Sequence, residues 1–184
     1  MLSVSLEENS VNIYLTGLIG AGKTTIGIPL AEQLGWAYDD LDLAMQKMAG
    51  KDFRQVVAEE GWLGFRQREY SLCKQFANLQ RTVIGLGGGT VRYDWNRDVL
   101  RGSGCVILLI ADLKVLAERV RDNDRPRVNP GVTLEADLQN IWENYQHLYL
   151  SFADLIYPTD QGKSISEEVE DIITLLNIKQ IQLL

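Results

Sequence analysis

The chain has little of what marks metal, redox, membrane or nucleic-acid proteins. Only two of its 184 residues are cysteine and one is histidine. Cys73 and Cys105 share no CxxC spacing and have no histidine-rich companion, so neither a zinc site nor a thioredoxin-like dithiol is indicated, and two buried, reduced thiols are expected. Apolar runs are short. The longest, Cys105 to Ala111, falls far below the roughly 20 residues that cross a bilayer, so no membrane partner is expected. Basic residues are outnumbered 18 to 25, and the resulting net charge of −7 excludes a broad nucleic-acid or anionic-membrane surface. The stretch Met1 to Asn9 carries Glu7 and Glu8 and lacks the basic start and apolar core of a secretory signal, so a cytoplasmic location is expected. Repeats, low-complexity tracts and dividing linkers are also missing; residues 1–184 read as a single domain.

The composition is that of a globule, with 46% hydrophobic and 23% charged residues, which rules out disordered and fibrous classes. Five short apolar or β-branched runs alternate with helical patterns: Val11 to Thr16, Trp36 to Asp40, Thr82 to Leu86, Cys105 to Ile110 and Leu155 to Thr159. That alternation predicts an α/β fold with a parallel sheet. Amphipathic helices are read from Leu113, Leu116, Ala117 and Val120, and from Ile165, Val169, Ile172, Ile173 and Leu176. Residues 121–133, RDNDRPRVNPGVT, combine two prolines, a glycine and alternating charge; at that length a lid is favoured over an ordinary helix connection.

The first strand runs into Gly17-Leu-Ile-Gly-Ala-Gly22-Lys23-Thr24-Thr25, which satisfies GxxxxGK[ST] between a strand and a helix. Small residues let successive amides converge on one anion, and the following helix N-terminus adds about half a positive charge. Gly20, Ala21, Gly22, Lys23, Thr24 and Thr25 are therefore the expected phosphate contacts, with Lys23 reaching the β and γ phosphates of ATP and the Thr24 hydroxyl on Mg²⁺. Pro29 removes one backbone hydrogen bond inside that helix and should bend it.

The second strand ends in Asp39-Asp40-Leu41-Asp42, where carboxylates would face the ligand crevice of an open α/β sheet; capping of a helix from Leu43 by Asp42 is the competing explanation. The third ends in Gly87-Gly88-Gly89, either a close backbone approach to ligand or a plain turn. Arg66 and Glu69 lie three apart in a helical pattern, and a solvated ion pair is the default for them. Asp112 follows its strand as a Walker B aspartate would, but N-capping of the next helix is the favoured reading.

Together these pieces resemble the shikimate kinase family of nucleoside-monophosphate-kinase-like P-loop proteins, over roughly residues 12–160. The residues that carry it are Gly17 to Thr24, Asp40-Leu-Asp42, Phe65-Arg66-Gln-Arg-Glu69, Gly87 to Gly89, Asn96-Arg97 and Arg125-Pro126. The resemblance implies a three-layer α/β/α fold with a five-stranded parallel sheet of order 2-3-1-4-5 and a mobile lid. It also implies roles: Asp40 holding Mg²⁺ through water, and Asp42 binding the accepting hydroxyl of shikimate as its base. Arg66 and the backbone of Gly87, Gly88 and Gly89 would bind the acceptor's carboxylate and ring hydroxyls. Arg125 would reach the transferring phosphoryl from the lid, and Arg119 would flank the adenine.

One position departs from that pattern. The family's R-x-P-L-Y stands here as Tyr145-Gln-His147-Leu-Tyr149, so Tyr145 occupies the place of an arginine implied to grip the carboxylate. Arg127, beside Arg125-Pro126, is one candidate to replace it. The expectation is ATP-dependent phosphorylation of shikimate by a monomer with a small-molecule substrate. A related kinase for another polyhydroxy acid or sugar acid, and a non-catalytic nucleotide-binding regulator, are the alternatives. His147, Trp62, Trp95 and Trp142 are expected to be structural residues.

Overall fold

A computed structural model describes residues 11–121 and 131–182. Five parallel strands, β1 (Asn12–Thr16), β2 (Ala37–Asp40), β3 (Thr82–Gly85), β4 (Gly104–Ile110) and β5 (Leu155–Pro158), form one sheet in the order β2-β3-β1-β4-β5. The strand positions match the sequence reading to within a residue or two, because strands buried on both faces read as continuous apolar runs. β1 and β3 are buried throughout, whereas the edge strand β2 is mostly half-buried and the edge strand β5 exposes Ile156 and Pro158.

Among the described residues seven helices accompany the strands: α1 (Lys23–Leu34), α2 (Leu41–Ala49), α3 (Phe53–Ala77), α4 (Asp94–Leu100), α5 (Leu113–Arg119), α6 (Leu134–Phe152) and, after β5, α7 (Ile165–Gln182). The main core packs Ile13, Leu15, Ile84, Ile107 and Leu108 of the sheet against Ile26 and Leu30 of α1 and Ile172 of α7. Pro29 lies inside α1, as the sequence places it.

A second, smaller core of Met45, Val56, Phe65 and Leu72 lies under α2 and α3. It matters because α3 is not straight. Gly61, at φ 68° and ψ 177°, interrupts the helix, a conformation open to glycine at little steric cost. Across the break Glu60 takes both Arg68 Nε at 2.7 Å and Arg68 Nη2 at 2.8 Å, pinning the two halves. The turn brings Trp62 and Phe65 edge-on to Phe53, at centroid distances of 5.7 and 4.9 Å. Thr133 caps α6 by accepting from the Ala136 amide at 3.2 Å. The central part of the expected lid, residues 122–130, lies outside the described residues.

Candidate active site

The loop between β1 and α1 needs its glycines. Gly17, Gly20 and Gly22 adopt φ of 140°, 83° and 94°, which L side chains rarely tolerate. A Cβ on Gly17 would stand 2.3 Å from the Leu109 carbonyl oxygen, and one on Gly20 would stand 2.9 Å from that of Leu116. Lys23 Nζ donates to the carbonyls of Gly17 and Leu18 at 2.9 and 3.0 Å, which tethers its ammonium over the loop. Arg119 braces the loop from outside, donating to Gly20 O at 3.2 Å and to Thr159 Oγ1 at 2.9 Å. It therefore stands beside the phosphate loop.

Thr24 Oγ1 donates to Asp40 Oδ2 at 3.4 Å, so the two residues read as the metal pair meet. Capping falls on Asp40 rather than on Asp42. Asp40 Oδ1 accepts from the amides of Asp42 and Leu43 at 3.0 and 3.1 Å, because α2 begins at Leu41, two residues before the start the sequence indicated. Asp42 is thereby left in the first turn of the helix, lining the cavity described next. Tyr38 also donates to Asp40 Oδ2, at 3.3 Å; burial pushes its phenol up to about 12. Asp112 caps α5, accepting from the Lys114 amide at 2.8 Å, in line with the capping reading.

A cavity of about 510 Å³ runs from Leu18 and Ile19 of the loop to α3, within the size range of small-molecule sites. Asp42, Arg66 and Gly87 to Gly89 line it. Gly87 faces Asp42 closely, since a Cβ there would lie 3.1 Å from Asp42 Oδ1. Gly88 faces the phosphate loop, with Ile19 N and Gly17 O under 4 Å from its Cβ position. The triplet is thus a close approach to the site and not merely a turn. Tyr149, fully buried on α6, holds it by donating its hydroxyl to Gly88 O; burial pushes that phenol up, which keeps the donor proton in place.

The solvated default for Arg66 and Glu69 does not survive. Arg66 Nη1 meets Glu69 Oε2 at 2.8 Å, with the glutamate almost wholly enclosed. Glu69 also accepts from Thr90 Oγ1 at 2.9 Å and Asn96 Nδ2 at 3.0 Å. The Arg66 guanidinium is walled by Tyr93, Phe65 and Trp62, at 4.4, 4.9 and 5.5 Å from their ring centroids. Trp62 therefore packs, as expected, but also lines the cavity. Arg97 fixes the next turn by donating to Val91 O and pairing with Asp94.

Tyr145, expected among the acceptor contacts, does not line the cavity; its ring carries the guanidinium of Arg92, which does, at 5.2 Å. Residue patterns alone do not distinguish Thr90, Asn96 and Arg92, although Asn96 belongs to the Asn96-Arg97 pair of the family resemblance. Only adjacency to the glycine triplet could have drawn attention to Thr90 and Arg92. Arg125 and Arg127 lie outside the described residues.

A phosphate loop can serve many ends, but here an acceptor-sized cavity with its own carboxylate reaches the same loop, and that pairing within a 2-3-1-4-5 parallel sheet defines a P-loop kinase. The family model described as shikimate kinase matches residues 19–177, and the chain belongs to the shikimate kinase family. It is 43% identical over 153 residues to shikimate kinase 2 of Pectobacterium carotovorum, covering 82% of this chain and 88% of that one. It is 36% identical over 166 residues to the shikimate kinase of Buchnera aphidicola, covering 90% and 95%. Among solved structures, the shikimate kinase of Acinetobacter baumannii in complex with shikimate superposes with a TM-score of 0.85 at 31% identity, covering 92% of this chain and 94% of that one. The family uses ATP as its phosphoryl donor. No helix among the described residues is long and apolar enough to cross a membrane.

Proposed function

We propose that the chain transfers the γ-phosphoryl of ATP to the 3-hydroxyl of shikimate, giving shikimate 3-phosphate and ADP on the route to chorismate and the aromatic amino acids. The observation that carries the reading is that one cavity joins Asp42 and the Arg66–Glu69 pair to the phosphate loop. Cys73, buried, and Cys105, half-buried, form no disulfide, which supports a reducing cytoplasm.

The transition state is loose, so positioning and charge neutralisation supply most of the acceleration. Backbone amides from Gly20 to Thr25 and the Lys23 ammonium cradle the phosphates. Asp42 accepts a hydrogen bond from the attacking hydroxyl and takes its proton late, as the new O–P bond forms and the bond to ADP breaks; a carboxylate at neutral pH is a weak base and mainly orients. Arg66 and the amides of the glycine triplet hold the acceptor ring. Thr24 and Asp40 would hold Mg²⁺, Asp40 through water. The fit rests on two hard oxygen donors 3.4 Å apart and on the preference of Mg²⁺ for few protein ligands and retained water. Bound there, the ion would neutralise phosphate charge. Arg125, from the lid over residues 121–133, would add a cation at the transferring group, and closure there would exclude water.

A second acceptor, another small polyhydroxy acid, is favoured by one observation, the tyrosine at position 145. ADP release measured with ATP, Mg²⁺ and either shikimate or gluconate separates the two. Stimulation by shikimate is expected; stimulation by gluconate alone overturns the first reading.

A further inference from the structure

Among the described residues four arginines line the cavity, and they are not equivalent. Arg54 is exposed and has its own partner, and Arg121 is exposed and paired with Glu118 at 3.2 Å. Arg66 is committed through Nη1 to Glu69. Arg92 is different. It ends the short 3-10 turn Thr90–Arg92 that follows the glycine triplet, and its guanidinium lies against Gly89, where a Cβ would stand 2.7 Å from Nη2. The ring of Tyr145 covers it at 5.2 Å. Its Nε is buried without a hydrogen-bond partner, as is that of Arg66. A half-buried cation held between backbone and an aromatic face, with a donor unused, calls for an anion beside it.

Its position selects which anion. The triplet starts against Asp42 and ends against Arg92. Gly87 and Gly89 are at most about 7.6 Å apart between Cα atoms, the scale of a six-membered ring with its substituents. An acceptor whose hydroxyl meets Asp42 therefore turns its opposite end toward Arg92. We infer that Arg92, seated on the face of Tyr145, is the residue that with Arg66 binds the acceptor's carboxylate, and that Tyr145 is a positioning residue for it. The inference rests on the phosphoryl-transfer reading above. It accounts for Tyr145 as a platform: an uncharged flat ring supports a guanidinium where a second arginine would repel it.

The test compares shikimate with its methyl ester, which keeps the hydroxyls and removes the charge, in the wild type, Arg92→Met and Arg92→Lys. In the wild type the ester has a much higher KM than the acid. In Arg92→Met the KM for shikimate rises on the order of 10- to 100-fold, the ester is little affected, and kcat and the KM for ATP stay within about threefold. Arg92→Lys restores part of the discrimination. An Arg92→Met enzyme that still prefers acid over ester by the wild-type ratio overturns the inference and returns the role to Arg66 or Arg127. Loss of kcat for acid and ester alike marks Arg92 as structural and overturns it too. Calorimetric titration of shikimate into wild type and Arg92→Met separates this from the functional reading. Tighter binding to the wild type without turnover sinks only the assigned reaction; equal affinities sink the inference, and absence of binding to the wild type sinks both.

Discussion

Glu69 and Arg66, one turn apart on α3, meet at 2.8 Å with only 2% and 14% of their side chains exposed. The glutamate gathers Arg66, Thr90 and Asn96 onto one carboxylate and so ties α3 to the segment after the glycine triplet. Removing one partner of an enclosed pair leaves the other charge uncompensated. Glu69→Ala is expected to lower unfolding free energy by about 3 kcal/mol, read from urea denaturation, and to raise the KM for the acceptor. A denaturation midpoint equal to the wild type would show that the network contributes nothing.

Gly17→Ala tests the phosphate loop. The new methyl would be driven into the Leu109 carbonyl from a backbone at φ 140°. ATP affinity should fall more than about tenfold, because the amides can no longer converge on the phosphates. Gly162→Ala is the control: φ is 72°, with nothing within 4 Å. It should cost about 1 kcal/mol of stability and leave ATP affinity intact.

Asp40 has two duties, and Asp40→Asn divides them. The amide oxygen can still accept from Asp42 N and Leu43 N, so stability should change by less than about 1 kcal/mol. The loss of negative charge beside Thr24 should raise the Mg²⁺ concentration for half-maximal turnover about tenfold. An unchanged Mg²⁺ requirement would remove Asp40 from the metal.

The strands and the phosphate loop were legible because both are written in contiguous residues: apolar runs for β1 and β4, and glycines that only a tight turn requires at Gly17, Gly20 and Gly22. Sheet order was not. It came with the resemblance, since periodicity says nothing about which strands neighbour. The acceptor side was legible in part. Arg66 and Glu69 share the spacing of any solvated helix pair, and what encloses them is Tyr93 and Asn96 from another element together with a break at Gly61. Asp40 and Asp42 exchanged the capping duty because α2 begins at Leu41, two residues earlier than the pattern indicated. Arg92 carries no local signal beyond its nearness to the glycine triplet; its meaning lies in Tyr145, far along the chain on α6.

Alkaline pH probes the base of the same site. Burial raises the Tyr38 phenol from 10.0 to about 12, so the folded state keeps a proton that the unfolded chain releases. The associated stability is fully present below pH 10 and is lost as pH rises through about 12. In Tyr38→Phe the decline in urea midpoint over that window should be shallower than in the wild type. Parallel declines would show that Tyr38 does not titrate there.

The central claim is that Asp42 presents a hydroxyl of shikimate to the γ-phosphoryl of ATP. It is tested most directly by following the phosphorus signals of ATP, Mg²⁺ and shikimate with the wild type and Asp42→Asn. The wild type should convert the γ signal into a phosphate monoester coupled to the proton on carbon 3 of shikimate. Asp42→Asn should bind ATP with near-normal affinity and form that ester at least about 100-fold more slowly. A wild type that yields only inorganic phosphate, or an Asp42→Asn enzyme with undiminished turnover, would contradict the account.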